Sequence, residues 1–225
     1  QLAQEAEEDA VQQSAQEKFD AKSGIDKARG FLGNIQEGQL LGFGDEIVGY
    51  NTDVTASIRS LKEGIGQDLA GLSVTLVGAG GSARAVAFGL AHEGCKIKIS
   101  NRTASKASDL AGEIIEKTRW ERIDTTPYAK RGLKDAIARS DILINATPVG
   151  MHPNGNQAIA DSTMLHSDLV VMDLVYNPPK TQLLYEAEKI GCITIGGLEM
   201  LVYQAVESIK IWTGEKAPIH LMQQK

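Results

Sequence analysis

The sequence lacks an initiating methionine, a long apolar run and any excess of positive charge, and it has only two cysteines and four histidines among 225 residues. Each shortage excludes something. No apolar stretch reaches the roughly 18 residues that a membrane-spanning helix needs. The formal net charge is -6, whereas a nucleic-acid-binding surface requires clustered Lys and Arg, so no nucleic-acid partner is expected. The start, Gln1-Leu2-Ala3-Gln4-Glu5, has none of the basic-then-apolar layout of a secretory leader. Cys95 and Cys192 sit far apart in apolar, strand-like segments and read as two buried free thiols in a reducing cytoplasm. His92, His152, His166 and His220 show no metal-ligand spacing, and no metal is expected. An N-terminal Gln leaves three origins open: a fragment, a processed product or a trimmed chain. The rest of the composition, 42% hydrophobic and 23% charged, is that of an ordinary globular protein able to bury a core.

Residues Gln1 to about Lys22 are rich in Gln, Glu and Ala, with Leu2, Ala6 and Ala10 at helical spacing, and predict a solvated helix or a partly disordered one, with a thin buried stripe. From Gly30 to Tyr50 short apolar runs in a Gly-rich context predict small strands or loops at a domain edge. Val54, Ile58, Leu61 and Ile65 then mark one face of a helix over about Asp53–Leu69. After Gly71 strands and helices alternate. Strands are predicted over Val74–Val77, Cys95–Ser100, Trp120–Asp124, Ile142–Ile144, Leu169–Met172 and Cys192–Ile195. Helices are predicted over Ser82–His92, Ser105–Lys117, Lys130–Arg139, Thr181–Ile190 and Leu198–Trp212. The apolar runs at 142–144 and 169–172 are those of parallel strands covered on both faces. The rhythm predicts an α/β fold with a doubly wound parallel sheet.

One turn in that pattern carries chemistry. Gly78-Ala79-Gly80-Gly81-Ser82 follows a strand and opens a helix. A first glycine permits the sharp turn, a second lets a pyrophosphate approach the backbone, and the helix offers free N–H groups and the positive end of its dipole. This strand-turn-helix context makes the cluster a Rossmann-type dinucleotide site rather than a chance run of glycines. The next strand should end on the residue that reads the ribose. An NAD site places Asp or Glu there, but this chain has Ser100-Asn101-Arg102-Thr103, with Lys106 one turn on. Arg102 and Lys106 could simply decorate a helix start. Cations are unfavourable at that positive end, so a 2′-phosphate explains them better, and the cofactor expected is NADP.

Further segments narrow the field. Asp141-Ile142-Leu143-Ile144-Asn145-Ala146-Thr147-Pro148-Val149-Gly150-Met151 ends a strand at the sheet's carboxyl edge, where ligands of open α/β sheets bind. Gly49-Tyr50-Asn51-Thr52-Asp53 sets a carboxylate at a helix start, and Gly197-Leu198-Glu199-Met200-Leu201-Val202-Tyr203-Gln204 opens the last helix. With Asn101-Arg102-Thr103, these motifs resemble the signature set of the shikimate dehydrogenase family, in the family's order, from about Val48 to the C-terminus. The resemblance implies an NADP-dependent oxidoreductase that interconverts shikimate and 3-dehydroshikimate, working in cytoplasmic aromatic amino acid biosynthesis. It gives Asp53 the role of catalytic aspartate, beside a lysine and the reacting hydroxyl. It gives substrate contacts to Tyr176 and Gln204, and loosely to Asn34. Cofactor contacts fall to Gly78, Ala79, Gly80, Gly81, Ser82, Asn101, Arg102, Thr103, Lys106, Thr147, Met151, Leu174 and Gly197; Lys106 stands where the family usually has Arg. Without the resemblance, Asp53 reads equally as a helix-start carboxylate favoured by the dipole.

The family also has a pair of serines for the substrate carboxylate and a Thr-x-Pro-x-x-Lys segment carrying the lysine, and this sequence shows neither. The lysines before Asp53 are Lys18, Lys22 and Lys27, in a polar, helix-like stretch. The expected organisation is a partial or rebuilt substrate domain with a linker helix over 1–70. An NADP-binding Rossmann domain follows over 71–197, and a helical segment returns to the substrate side over 198–225. Expected partners are a shikimate-like small molecule and either a second copy of the chain or a partner that supplies the missing half. Two alternatives stay open: a quinate or polyol-acid dehydrogenase, and a non-catalytic NADP-binding module.

Overall fold

The computed structural model describes residues 17–20, 39–43 and 46–223. Its larger sheet has six strands, β4 (Ser73–Val77), β5 (Lys96–Ser100), β6 (Ile123–Thr125), β7 (Ile142–Asn145), β8 (Val170–Asp173) and β9 (Ile193–Gly196), in the order β6-β5-β4-β7-β8-β9. Every neighbouring pair is parallel. The chain builds outward from β4 to β6, then returns past β4 to start the second half at β7. The switch in direction opens a crevice at the carboxyl ends of β4 and β7, where a doubly wound sheet takes its ligand.

Alternation along the strands sends side chains into two cores, as a parallel sheet covered on both faces requires. Ile142 and Ile144 join Val74, Leu76, Ile97 and Ile99 on one face. That face is covered by α1 (Thr52–Ile65), α2 (Gly81–His92), α3 (Ala104–Thr118) and α6 (Gly197–Thr213). Leu143 and Val171 point the other way, against α4 (Lys130–Ile137) and α5 (Gln182–Ile190). A short α7 (Ile219–Met222) ends the described chain. No helix of the described residues is long and apolar enough to cross a membrane. Cys95 and Cys192 are buried and unbridged, and burial pushes the Cys95 thiol up to about 12.

Two expectations are corrected. Glu17–Asp20 lies inside the stretch expected to be helical but forms strand β1. It pairs antiparallel with β3 (Glu46–Tyr50), which also pairs with β2 (Gln39–Phe43) in a small separate sheet. Helix propensity is a weak prior, and backbone pairing with β3 overrides it here. Lys18 therefore sits on a strand; the rest of Gln1–Lys22, Lys27 and Asn34 lie outside the described residues. The helix expected to run to Leu69 stops at Ile65, because Gly66 turns left-handed (φ 72°) and returns its N–H to the Lys62 carbonyl. Leu69 is still fully buried, as a loop residue.

Candidate functional site

The glycine turn joins β4 to α2. Gly78 has φ +128°, a region that L side chains rarely adopt, and a Cβ there would lie 2.5 Å from the Ala146 carbonyl oxygen. Its N–H donates to the Ser100 carbonyl at 2.8 Å. The neighbouring strand ends thus close tightly around this residue. Gly80 differs: its φ is -89°, and a Cβ would meet nothing within 4 Å. The space over Gly80 is open, as a pyrophosphate approaching the backbone requires.

Helices α2 and α3 start without side-chain caps, at Gly80 and Thr103, and neither has an acidic residue in its first turn. Their leading N–H groups are left for an anion. Helices α1 and α5 are capped by Asn51 and Thr181, whereas α4 and α6 also start without a side-chain cap, so what marks α2 and α3 is the open glycine turn and the exposed cations beside them. Arg84, in the first turn of α2, is committed to a bidentate pair with Glu113 of α3. Arg102 and Lys106 at the α3 start are exposed and form no ion pair among the described residues. Asn101 donates to the Thr103 carbonyl at 2.9 Å, which shapes the loop that presents them. This combination fits a dinucleotide with a 2′-phosphate.

The loops after β7 and β8 are tied from beneath. Asn145 and Asp173, the last residues of those strands, are fully buried, and Asn145 Nδ2 donates to Asp173 Oδ1 at 2.9 Å. Asn145 Oδ1 accepts from the Thr147 N–H and hydroxyl. Asp173 also accepts from the Val175 N–H at 3.0 Å and the Thr181 hydroxyl at 2.7 Å. Burial pushes the Asp173 carboxyl above its usual range, against the pull of the bonds from Thr181, Val175 and Asn145. Above this base, Met151 is 43% and Tyr176 53% exposed. A Cβ on Gly197 would lie 2.4 Å from the Leu174 carbonyl oxygen, so the start of α6 rests directly on the β8 loop.

Helices α1 and α6 pack against each other. Asp53 is buried in the first turn of α1, with its N–H donating to Asn51 Oδ1 at 3.1 Å. Gln204 of α6 donates from Nε2 to Asp53 Oδ1. Further along the interface, Tyr203 donates to Glu63, which also accepts from Arg59 Nε at 2.8 Å.

The structure therefore brings Asp53 to Gln204, Gly78 to the β7 loop, and Leu174 to Gly197. It leaves Arg102, Lys106, Met151 and Tyr176 open to solvent. A separate groove of about 420 Å³, lined by Lys98, Arg131, Asp135 and Arg139, contains none of the candidate residues. Sequence reasoning missed Asn145, Asp173 and Thr181. The signal for two of them was a polar residue closing each of two adjacent apolar strands.

A family profile described as shikimate / quinate 5-dehydrogenase matches residues 60–199, and one described as the shikimate 5'-dehydrogenase C-terminal domain matches residues 197–225. A shikimate dehydrogenase (NADP(+)) of Methanosarcina acetivorans is 46% identical over 177 residues, covering 79% of this chain and 62% of that protein. One from Methanopyrus kandleri is 44% identical over 185 residues, covering 80% and 62%. The chain thus spans about 62% of the length of these relatives. A solved shikimate dehydrogenase in complex with NADP+ aligns with TM-score 0.75 at 40% identity, over 85% of this chain and 66% of that one. A Corynebacterium glutamicum quinate dehydrogenase in complex with NAD aligns with TM-score 0.75 at 33% identity, over 85% and 68%. By profile, identity and fold alike, the chain belongs to the shikimate dehydrogenase family.

Proposed function

We propose that this chain is the cofactor-binding portion of an NADP-dependent shikimate dehydrogenase, together with part of its substrate site. The contact between Gln204 and Asp53 carries this reading, because it joins two polar residues, each with a substrate role in the family, from helices α1 and α6, 151 positions apart. Residues 71–197 form the dinucleotide domain; 1–70 and 198–225 contribute to the substrate side.

Bound NADP supplies the hydride acceptor at the nicotinamide C4. Gly78 to Ser82 and the start of α2 receive the pyrophosphate. Asn101, Arg102, Thr103 and Lys106 receive the adenosine 2′-phosphate, which an exposed guanidinium can grip with two hydrogen bonds. Thr147, Met151, Leu174 and Gly197 line the nicotinamide end. When the secondary alcohol of shikimate loses its hydride, the hydroxyl must also release a proton. Asp53 holds that hydroxyl as an acceptor, Gln204 fixes the carboxylate's direction, and Tyr176 contacts the substrate from the β8 loop. The proton passes to the lysine that the family places beside this aspartate. A segment outside this sequence or a partner chain supplies that lysine and the serines for the substrate carboxylate. The compartment this implies is the cytoplasm, in keeping with two free, buried thiols.

The test is calorimetric titration with NADP+ and NAD+, followed by NADPH formation from shikimate and from quinate. Tighter binding of NADP+, with turnover of shikimate once the segment carrying the lysine and the serines is supplied, supports the proposal. Turnover of quinate alone reassigns the substrate. Tight NADP+ binding with no turnover, in a chain whose intact mass shows it to be full length, makes it a non-catalytic module.

A further inference from the structure

We propose that Asp173 is a positioning residue that locks the loops after β7 and β8 into one unit, so that Thr147, Met151, Leu174 and Tyr176 present a fixed face to the nicotinamide end of the dinucleotide. This rests on the cofactor reading above and assigns a task to a fully buried residue.

A carboxylate with no exposed surface is unusual, since buried charges are normally paired with a cation or neutralised. Among the described residues, the hydrogen-bond partners of Asp173 are all neutral donors: the Asn145 amide, the Val175 N–H and the Thr181 hydroxyl. Each lies in a different segment. Asn145 passes the constraint on to the β7 loop, donating to the Val149 carbonyl at 3.1 Å and accepting from Thr147. Thr181 passes it to α5, where its hydroxyl caps the Leu184 N–H. Val175 fixes the backbone one residue before Tyr176.

Strand pairing already holds β7 to β8, with Leu174 N–H on the Asn145 carbonyl at 2.9 Å. Apolar side chains at 145 and 173 would keep that pairing without the cost of burying a charge. What an apolar pair cannot do is specify direction. A carboxylate accepting from three segments defines the angle at which both loops leave the sheet, and a fully satisfied buried network is rigid. The loops so fixed carry Met151 and Tyr176, two large exposed side chains at the sheet's carboxyl edge. A rigid base beneath exposed side chains suits reception of a flat ring in one orientation.

The test compares NADP+ with adenosine 2′,5′-bisphosphate, which keeps the adenine end and lacks the nicotinamide half. Both affinities are measured by calorimetry on the full chain and on Asp173→Asn and Thr181→Val. Thr181→Val keeps the side chain's shape and removes one of the three donors, so it serves if Asp173→Asn does not fold. The expected result is unchanged affinity for the bisphosphate and about tenfold weaker NADP+ binding, the size of one lost hydrogen bond to a charged group. Parallel loss for both ligands with a lowered melting temperature overturns the proposal, since the role is then structural. Unchanged NADP+ affinity in the folded variants also overturns it. A wild-type chain that binds neither ligand overturns the cofactor reading itself, and this inference with it.

Discussion

Gln204 hydrogen-bonds Asp53 across the interface between the last long helix and the first, joining residues 151 positions apart. The carboxylate's orientation is therefore set by α6 as well as by its own helix. Asp53→Asn should abolish turnover in the complete enzyme and leave NADP+ affinity unchanged, as read by steady-state kinetics beside calorimetry. A matching fall in cofactor affinity would instead assign Asp53 to the fold. Gln204→Leu should cost about 1–2 kcal/mol in urea unfolding, the usual effect of removing a partly buried donor.

The glycine turn makes opposite demands at two positions. Gly78→Ala should destabilise the fold and abolish NADP+ binding, because the new methyl meets the Ala146 carbonyl and φ is positive. Gly80→Ala meets open space, so its melting temperature should stay near wild type while NADP+ affinity falls at least tenfold. Equal destabilisation by both variants would remove the pyrophosphate from this turn.

Arg102→Ala should weaken NADP+ by about 1–3 kcal/mol and NAD+ by far less, the loss expected of a charge-assisted contact. Lys106→Ala should act in the same direction, and raised salt should shrink both effects. Equal losses for the two cofactors would show that Arg102 does not read the 2′-phosphate.

The Tyr203–Glu63 pair predicts a pH profile. Burial raises the Glu63 carboxyl, but hydrogen bonds from Tyr203 and Arg59 outweigh it, and the group titrates below its ordinary 4.5. Its contribution is present above about 4.5 and is lost as pH falls through the lowered value. Burial, then the bond to Glu63, pushes the Tyr203 hydroxyl up to about 12 from its ordinary 10.0. The unfolded chain loses that proton first, so stability falls as pH rises from about 10 to about 12. Tyr203→Phe should flatten the urea midpoint at both ends; an unaltered profile would show that the pair does not bridge α1 and α6.

The six-stranded sheet was legible because β4, β7 and β8 are apolar runs and β5 alternates apolar and polar residues, whereas the short β6 (Ile-Asp-Thr) begins three residues later than expected. Val74–Val77 and Ile142–Ile144 fell within a residue or two of their final bounds. The dinucleotide turn was legible for the same local reason. The N-terminal strand was not, since Glu17–Asp20 owes its state to β3, some thirty residues away, and carries no alternating pattern of its own. The Asn145–Asp173–Thr181 network was hidden because it depends on strand order. Asn145 and Asp173 become neighbours only once β7 lies beside β8. The resemblance supplied roles for Asp53 and Gln204, but their contact needed the packing of α6 on α1.

The uncapped starts of α2 and α3 carry a consequence for the lifetime of the protein. A dinucleotide that occupies them completes two helices, so the ligand becomes a structural member of the domain. At a hundred times its dissociation constant it would add about 2.7 kcal/mol to the folded state. Resistance to proteolysis would then follow the supply of NADP, and depletion of the cofactor would leave the chain less stable by that amount.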